Sequence, residues 1–226
     1  THTATLPSNN EWHQVMINDG RTDWSLSKTF VDFMKKYDDP RLSAIGKANG
    51  DSFEGIPNGL PDAIATTYLS SAAVLNSRFT DASAPSVIMT YSELQFILAE
   101  AVLDGDADGD ASDFFKKGIE ASFEYYEVSV PDGFYDAIGT INKEKVMEQK
   151  WVALFGQGVE SWTEYRRTGY PVMPAKDPRA SFENNGVLPT RLPYPTTEYS
   201  LNKTELDKAI TIIGSDNMQA ELWWAE

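Results

Sequence analysis

The stretch INKEKVMEQKWVALFGQGVESWTEYRRTGYP, Ile141 to Pro171, decides the fold class of this chain. Its apolar residues fall close to one stripe at helical spacing, which is typical of a helix that packs on a protein core. The stripe consists of Met147, Trp151, Leu154, Phe155 and Trp162. The pattern therefore predicts a helix with both tryptophans in the core.

The two ends of this stretch carry the signals that begin and end helices. Asn142 can accept hydrogen bonds from the first free backbone N–H groups, as a cap does. Arg166 and Arg167 lie in the last turn, where cations interact favourably with the helix dipole. Gly169 follows them at a position where helices commonly stop. We predict one long helix between these signals.

Two further helices are predicted upstream, and they form a pair. Residues Tyr91 to Leu103 keep helical spacing, the acidic run DGDADGD makes a turn, and Ser112 can cap the second helix. The second helix carries apolar stripes on two sides, with the small Gly118 among them, so it packs against two neighbours. This arrangement resembles a tetratricopeptide-type hairpin. Because strand signals are scarce, the predicted fold is mainly α, with tetratricopeptide-like helix pairs and long irregular loops.

Composition and charge exclude several classes of function. The 226 residues carry a formal net charge of −15 and no basic run, which disfavours binding to nucleic acid or to an anionic lipid surface. The chain has no cysteine, so disulfides, thiolate zinc sites and a cysteine nucleophile are excluded. No apolar run approaches the roughly 20 residues of a membrane-spanning helix.

Catalytic motifs are weak, so we predict that the protein is not an enzyme. The only histidines are His2 and His13, which disfavours a Ser-His-Asp triad and a three-histidine zinc site. The segment GVESW, Gly158 to Trp162, lacks the second glycine of a nucleophile elbow and lies inside a predicted helix. A glycosidase would need only two carboxylates, and the sequence does not single out a pair among 34 Asp and Glu residues.

The acidic run DGDADGD is a candidate calcium site. Asp104, Asp106, Asp108 and Asp110 match the first half of an EF-hand loop, but its twelfth position is Phe115 instead of a bidentate glutamate. The alternative is an acidic turn whose Asp110 or Ser112 lies at a helix N-terminus. No other cofactor is predicted.

Two tryptophans differ from the others, because they lie in polar segments outside strong helices. Trp12 lies in NNEWHQ and Trp24 lies in GRTDWSLS, with Asn10, Arg21 and Asp23 as polar neighbours. An indole face stacks on the C–H face of a pyranose, while amide, carboxylate and guanidinium groups bind its hydroxyls. We therefore predict a sugar-binding site at these five residues. The alternative is that each tryptophan anchors a loop to the core.

Several segments in this order resemble one family. The segments are KTFVDFMKKYDDPRL (28–42), GIPNGL (55–60), IMTYSELQFILAEA (88–101), GDASDFFKKGIEAS (109–122), EQKWVALFGQGVESWTEYRRTGYP (148–171), RLPYPTTEYSLN (191–202) and the terminal LWW. Together they are similar to the SusD/RagB family of nutrient-binding outer-membrane lipoproteins of Bacteroidetes, in its SusD-like lipoprotein subgroup. The resemblance extends from Lys28 to Trp224, and the combination is more specific than any single motif.

The resemblance implies a function that composition does not reveal. Members of the family are non-catalytic binding proteins, anchored to the cell surface by a lipid on an N-terminal cysteine. They cover a TonB-dependent, SusC-like outer-membrane transporter and pass oligosaccharides, or in some cases peptides, to it. Their ligands bind in variable loops, so the shared motifs imply structural roles, such as helix packing at Arg41 and at Arg166 and Arg167.

The chain differs from the family in its length, which is about half of what the family shows. We expect it to be the C-terminal part of one SusD-like domain that spans residues 1–226, with the anchoring segment absent. Residues 1–86 are then the loop-rich ligand-binding region and residues 87–226 the helical scaffold. Two alternatives stay open: a peptide-binding member of the family, or a non-catalytic half that docks on the transporter while the ligand site lies elsewhere.

Overall fold

The computed structural model of the chain describes residues 2–3, 8–182, 186–220 and 222–223. It separates into two compact units, Thr1–Ala180 and Ser181–Glu226. Helices dominate the described residues, and strands are limited to one short antiparallel pair with isolated bridges beside it. The mainly-α prediction is confirmed. Trp224, where the family-like motifs end, lies outside the described residues.

The first unit contains most of the helices. Those of its first half are α1 Glu11–His13, a π-helix Gln14–Asn18, α2 Lys28–Lys36, α3 Arg41–Ile45, α4 Asp62–Ala65, a 3-10 turn Thr66–Tyr68 and α5 Ser77–Thr80. Those of its second half are α6 Tyr91–Asp104, α7 Ala111–Tyr125, α8 Phe134–Ile138, α9 Lys143–Ala153 and α10 Gly158–Thr168. The strand pair joins β1 Gly46–Lys47 to β2 Val74–Leu75.

The pair α6–α7 is the predicted hairpin. Helix α6 ends at Gly105, whose φ of +82° is a left-handed conformation that glycine adopts without strain. Gly118 of α7 lies against Phe96 of α6 so closely that an added Cβ would come within 2.8 Å of the phenyl ring. The small residue at the crossing is therefore confirmed. The predicted Ser112 cap is wrong, because Asp110 accepts the hydrogen bond from the Ser112 backbone N–H at 2.8 Å.

The single long helix predicted over Ile141 to Pro171 is wrong, because the structure has α9 and α10 in its place. Asn142 caps α9 as predicted and accepts a hydrogen bond from the Lys145 backbone N–H at 2.9 Å. The chain then turns at Gly156, whose φ of +88° is incompatible with a continuous helix. The two glycines of FGQG therefore break a pattern whose apolar spacing continues on both sides.

A buried arginine joins three parts of the first unit. Arg41, which follows the α2–α3 turn, is fully buried and forms an ion pair with Asp39 at 2.5 Å. The same guanidinium donates to the Ser122 hydroxyl of α7 and to the Gln149 side chain of α9, each at 2.8 Å. It also lies 4.4 Å from the centre of the Phe123 ring. The packing role that the family resemblance implied for Arg41 agrees with these contacts.

The second unit contains α11, Thr196–Leu201, and α12, Lys203–Ile213. The Arg191 guanidinium pairs with Asp216 at 2.5 Å, and both side chains are buried. Asp216 also accepts hydrogen bonds from the Tyr194 backbone N–H and from the Tyr199 hydroxyl. This carboxylate therefore links the irregular segment before α11 to the turn after α12.

Candidate ligand-binding site

An aromatic pocket of about 270 Å³ lies in the first unit. Most of its lining comes from three segments that are distant in sequence, the N-terminal turn, the entry to α2, and the corner between α9 and α10, and Leu75 of β2 completes it. The aromatic residues in its lining are Trp12, Trp24, Phe30, Trp151 and Phe155. We call this cavity the aromatic pocket.

The first segment places Trp12 through a cap. The buried Asn10 side chain accepts hydrogen bonds from the backbone N–H groups of Trp12, at 2.8 Å, and His13, at 3.3 Å. Its amide nitrogen donates to the Ala84 carbonyl at 3.0 Å. The His13 ring donates to the Thr80 carbonyl at 2.9 Å, which fixes the turn a second time. Asn10 thus positions Trp12, and both ends of its side-chain amide are hydrogen-bonded to backbone groups.

The second segment brings Trp24 beside Trp12. Their ring centres are 5.0 Å apart and the rings are nearly perpendicular, an edge-to-face geometry that aromatic pairs favour. Trp24 keeps 38% of its surface exposed. Arg21 and Asp23 form an exposed ion pair with each other and do not line the pocket, and the guanidinium lowers the pKa of Asp23. Of the five predicted residues, the structure therefore brings the two tryptophans together in the pocket.

The third segment is one that the sequence interpretation missed. Trp151, which was predicted in the core, packs against a buried apolar cluster and also lines the pocket, with its ring 5.4 Å from the Phe30 ring. Phe155 lies 4.9 Å from the same phenyl ring. Trp162, the other tryptophan predicted in the core, is half-buried and lies 4.0 Å from the Arg166 guanidinium. The sequence does carry a signal for this wall. Gly156 and Gly158 follow Phe155, and a glycine pair favours a turn between helices.

A charged network holds this corner in place. Arg167 of α10 donates to both Glu100 carboxylate oxygens of α6, each at 2.6 Å. Lys150 of α9 is buried and pairs with Glu164 of α10 at 2.8 Å. Burial favours the neutral form of Glu164, but hydrogen bonds from Arg167 and Lys150 outweigh it and lower the pKa of that carboxyl. The network ties α10 to α6 and α9, so the third wall rests on rigid elements.

The lining of the aromatic pocket is electrically neutral, although the chain carries a net charge of −15. None of the described residues that line it is charged. Two of its hydroxyls have different surroundings. The Ser27 hydroxyl accepts a hydrogen bond from the Phe30 backbone N–H at 3.2 Å, whereas the buried Ser25 hydroxyl has no hydrogen-bond partner among the described residues. The pocket suits a neutral ligand with apolar faces and few polar groups.

The acidic run after α6 has ordinary structural partners. Asp104 pairs with Lys143 at 2.7 Å, and Asp110 caps α7. Asp106 and Asp108 complete the run. No group of three or more His, Asp or Glu side chains is arranged to hold a metal ion anywhere in the described ranges. Calcium binding by these four aspartates stays a prediction.

None of the helices in the part of the chain that the structure describes is both long enough and apolar enough to span a bilayer. The two longest, α6 and α7, have 14 and 15 residues. These two helices pack against each other in the hairpin.

Comparisons with known proteins define the class. Residues 1–195 match the SusD-like family described as starch-binding and associating with the outer membrane. A SusD homologue from Bacteroides fragilis is 26% identical, with a TM-score of 0.81 over 98% of this chain and 56% of its own. A chitin-binding protein is 26% identical, with a TM-score of 0.79 over 97% and 54% of the two chains. No curated protein matches the chain.

A chitin-binding SusD homologue from Flavobacterium johnsoniae shares the fold, with 23% identity and a TM-score of 0.80 over 99% of this chain and 53% of its own. The chain belongs to the SusD-like family, since the family match covers most of its length. Members of this family are binding proteins that associate with the outer membrane. The chain spans about half the length of the solved relatives.

Proposed function

We propose that this protein captures an oligosaccharide in the aromatic pocket at the cell surface and has no catalytic activity. The observation that carries the proposal is the neutral pocket whose walls are Trp12, Trp24 and Trp151. Stacking on an indole removes the apolar C–H face of a pyranose from water, and this gain does not depend on charge. The carbohydrate-binding descriptions of the family and of the 26%-identical relative support the same ligand class.

The proposal includes the later fate of the ligand. We propose that the full-length protein is lipid-anchored and passes the oligosaccharide to a TonB-dependent, SusC-like transporter. The family's association with the outer membrane supports this placement. Co-purification of the epitope-tagged full-length protein from outer membranes tests it. Recovery of a TonB-dependent transporter is expected, and its absence from otherwise intact membranes would remove this part of the proposal.

Substitution of Trp24 tests the pocket. We expect Trp24→Ala to weaken oligosaccharide binding by about 1–3 kcal/mol, because it removes an exposed aromatic contact from the pocket rim. A glycan array that includes starch and chitin fragments identifies the ligand, and calorimetry then measures the affinity. Trp162→Ala is the matched control, because this tryptophan lies in the same unit but does not line the pocket.

The glycan array and a peptide array run in parallel separate the two alternatives. Binding of glycans that is unchanged in a folded Trp24→Ala variant would place the ligand site elsewhere. Binding of peptides without binding of glycans would favour the hypothesis of a peptide-binding protein. A folded chain that binds neither would leave this half as a scaffold for docking on the transporter.

A further inference from the structure

Helix α6 and the segment just before it carry an apolar face at the surface of the first unit. The α6 face, as we call it, consists of the exposed Ile88, Met89, Tyr91, Leu94 and Ile97, with the half-buried Leu98 and Ala101 beside them. Tyr91 is 61% exposed and Leu94 is 40% exposed. Apolar residues at this helical spacing normally pack on a core, but here they face solvent.

The rest of α6 buries polar side chains. Glu93 and Gln95 are buried, and each has one side-chain oxygen without a hydrogen-bond partner among the described residues. Glu100 is buried as well and pairs with Arg167. A helix with one side in water shows the reverse distribution, with its polar residues outside. Helix α6 therefore has the residue pattern of a helix that is covered on both sides.

A second cavity, of about 230 Å³, borders the α6 face at its N-terminal end. Tyr91 lines it together with Tyr125 and Tyr126 near the end of α7, and it shares no lining residue with the aromatic pocket. Helices pack by inserting the side chains of one into the grooves of the other. An apolar stripe that ends in a hollow suits such packing, because a protruding side chain of the second helix can fill the hollow.

The lengths of the relatives indicate what covers the face. The Bacteroides fragilis homologue shares its fold with 98% of this chain, but only 56% of the homologue is matched. Nearly half of that relative therefore has no counterpart here. The pair α6–α7 resembles a tetratricopeptide-type hairpin, and such pairs bury their second face by stacking on a neighbouring helix pair. The unmatched part of the domain is the place where that neighbour is expected.

We propose that the α6 face is the docking surface for a helix pair in the part of the SusD-like domain that this chain does not span. One helix of that pair packs its own apolar stripe along Tyr91, Leu94 and Ile97, and one of its large side chains enters the cavity beside Tyr91. Burial of these apolar side chains stabilises the contact. The inference concerns the assembly of the domain, and it does not depend on the ligand.

Cysteine labelling tests the cover, because the chain contains no cysteine of its own. Leu94→Cys is introduced into the 226-residue chain and into the purified full-length protein, and circular dichroism checks that both variants fold. Both react with a maleimide, and mass spectrometry of the peptide that contains residue 94 gives the rate. We expect labelling at least about tenfold slower in the full-length protein, since a covered thiol reacts only when the contact opens.

Leu103→Cys is the matched control. Leu103 lies on the same helix and is 38% exposed, close to the 40% of Leu94. It is nine positions further on, which places it about half a turn around the helix and away from the α6 face. We expect residue 103 to be labelled at the same rate in both proteins. An equal slowing at residues 94 and 103 would show general shielding and would overturn the assignment of the face.

The remaining outcomes identify other occupants. Equal rates for residue 94 in the two proteins overturn the proposal. Protection of residue 94 in the 226-residue chain that rises with concentration, together with dimers in light scattering, assigns the face to a second copy and also overturns it. Protection of the full-length protein in outer membranes but not after purification does the same in favour of a membrane partner. A failure of glycan binding leaves this inference intact, because the face and the aromatic pocket are separate.

Discussion

The Arg41 cluster and the aromatic pocket lie in the same unit, but they are stabilised in opposite ways. In the cluster, the charge is fully buried and every guanidinium nitrogen has a hydrogen-bond partner, on the α2–α3 turn, α7 or α9. In the pocket, charge is absent from the described lining and one buried hydroxyl is unpartnered. Paired buried charge fixes the fold in the cluster, whereas the uncharged aromatic lining of the pocket suits a neutral ligand.

The largest difference between the two regions is expected from Arg41→Met. The substitution removes the positive charge and leaves the buried Asp39 carboxylate without its ion-pair partner. We expect the free energy of unfolding to fall by about 3–5 kcal/mol, as when one partner of a buried pair is lost. Urea unfolding followed by circular dichroism measures it.

Lys28→Met is the control for this substitution. It breaks the Lys28–Asp32 pair of α2, in which both side chains are about half exposed, and we expect a change of no more than about 0.5 kcal/mol. If the two variants lose the same stability, the Arg41 cluster is not the centre of the fold that its contacts indicate.

Two glycine substitutions, one in the core and one at the pocket, are expected to change the free energy of unfolding by intermediate amounts. Gly118→Ala places a methyl group within 2.8 Å of the buried Phe96 ring, and overpacking of this kind costs about 1–3 kcal/mol. This cost outweighs the helix-propensity gain of at most about 1 kcal/mol from replacing glycine. Gly158→Ala meets open space at the pocket, so we expect unfolding to be unchanged or slightly harder.

Denaturant midpoints of the two glycine variants and of the wild type decide this prediction. Ligand affinity is measured in parallel, because a methyl group at Gly158 narrows the pocket without disturbing the core. A Gly118→Ala variant as stable as Gly158→Ala would mean that α6 and α7 can move apart at their crossing.

The smallest effect is a pH dependence at Glu93, whose side chain is buried on α6. Burial raises the pKa of this carboxyl above its ordinary value of 4.5, and the nearby Glu160 and Glu164 add to the increase, while a hydrogen bond from the Thr90 backbone and the charge of Lys150 oppose it. A raised folded-state pKa means that the ionised form destabilises the fold. Its cost is therefore fully present above the folded-state pKa and disappears as the pH falls below the unfolded-state pKa.

Glu93→Gln removes this dependence. We expect the variant to be more stable than the wild type at pH 7 and to lose that advantage as the pH approaches 4. Unfolding free energies measured across this range check the sign. A variant that is less stable at pH 7 would show that the Glu93 carboxylate has a favourable partner after all.

Local signals in the sequence were enough to predict the α6–α7 pair and the start of α9, whereas the class of the protein came from the order of the family-like segments. The stripes on α6 and α7 and the cap at Asn142 act over one or two turns, so they can be recognised in the sequence directly. The break at Gly156 was missed, because the apolar spacing continues through it. The Arg41 cluster was only partly foreseen, since its partners Ser122 and Gln149 are remote in sequence.

The pocket was predicted in part for the same reason. Trp12 and Trp24 stood out through their polar neighbours, and they are in contact in the structure. The third wall at Trp151 lies more than a hundred positions away, on a helix whose stripe also predicts a core residue. The polar neighbours of the two tryptophans did not predict the lining. Arg21 and Asp23 pair with each other, and the Asn10 side chain accepts a hydrogen bond from the Trp12 backbone N–H.

Helix α9 supplies the buried cluster with Gln149 and, two positions later, the pocket with Trp151. One wall of the pocket is therefore held by the most constrained part of the unit before any ligand arrives. Ordering of that wall has already been completed by folding, so its contribution to the entropy of association is small. A calorimetric heat-capacity change on binding would then report the apolar surface that the sugar covers, with little contribution from ordering of the chain.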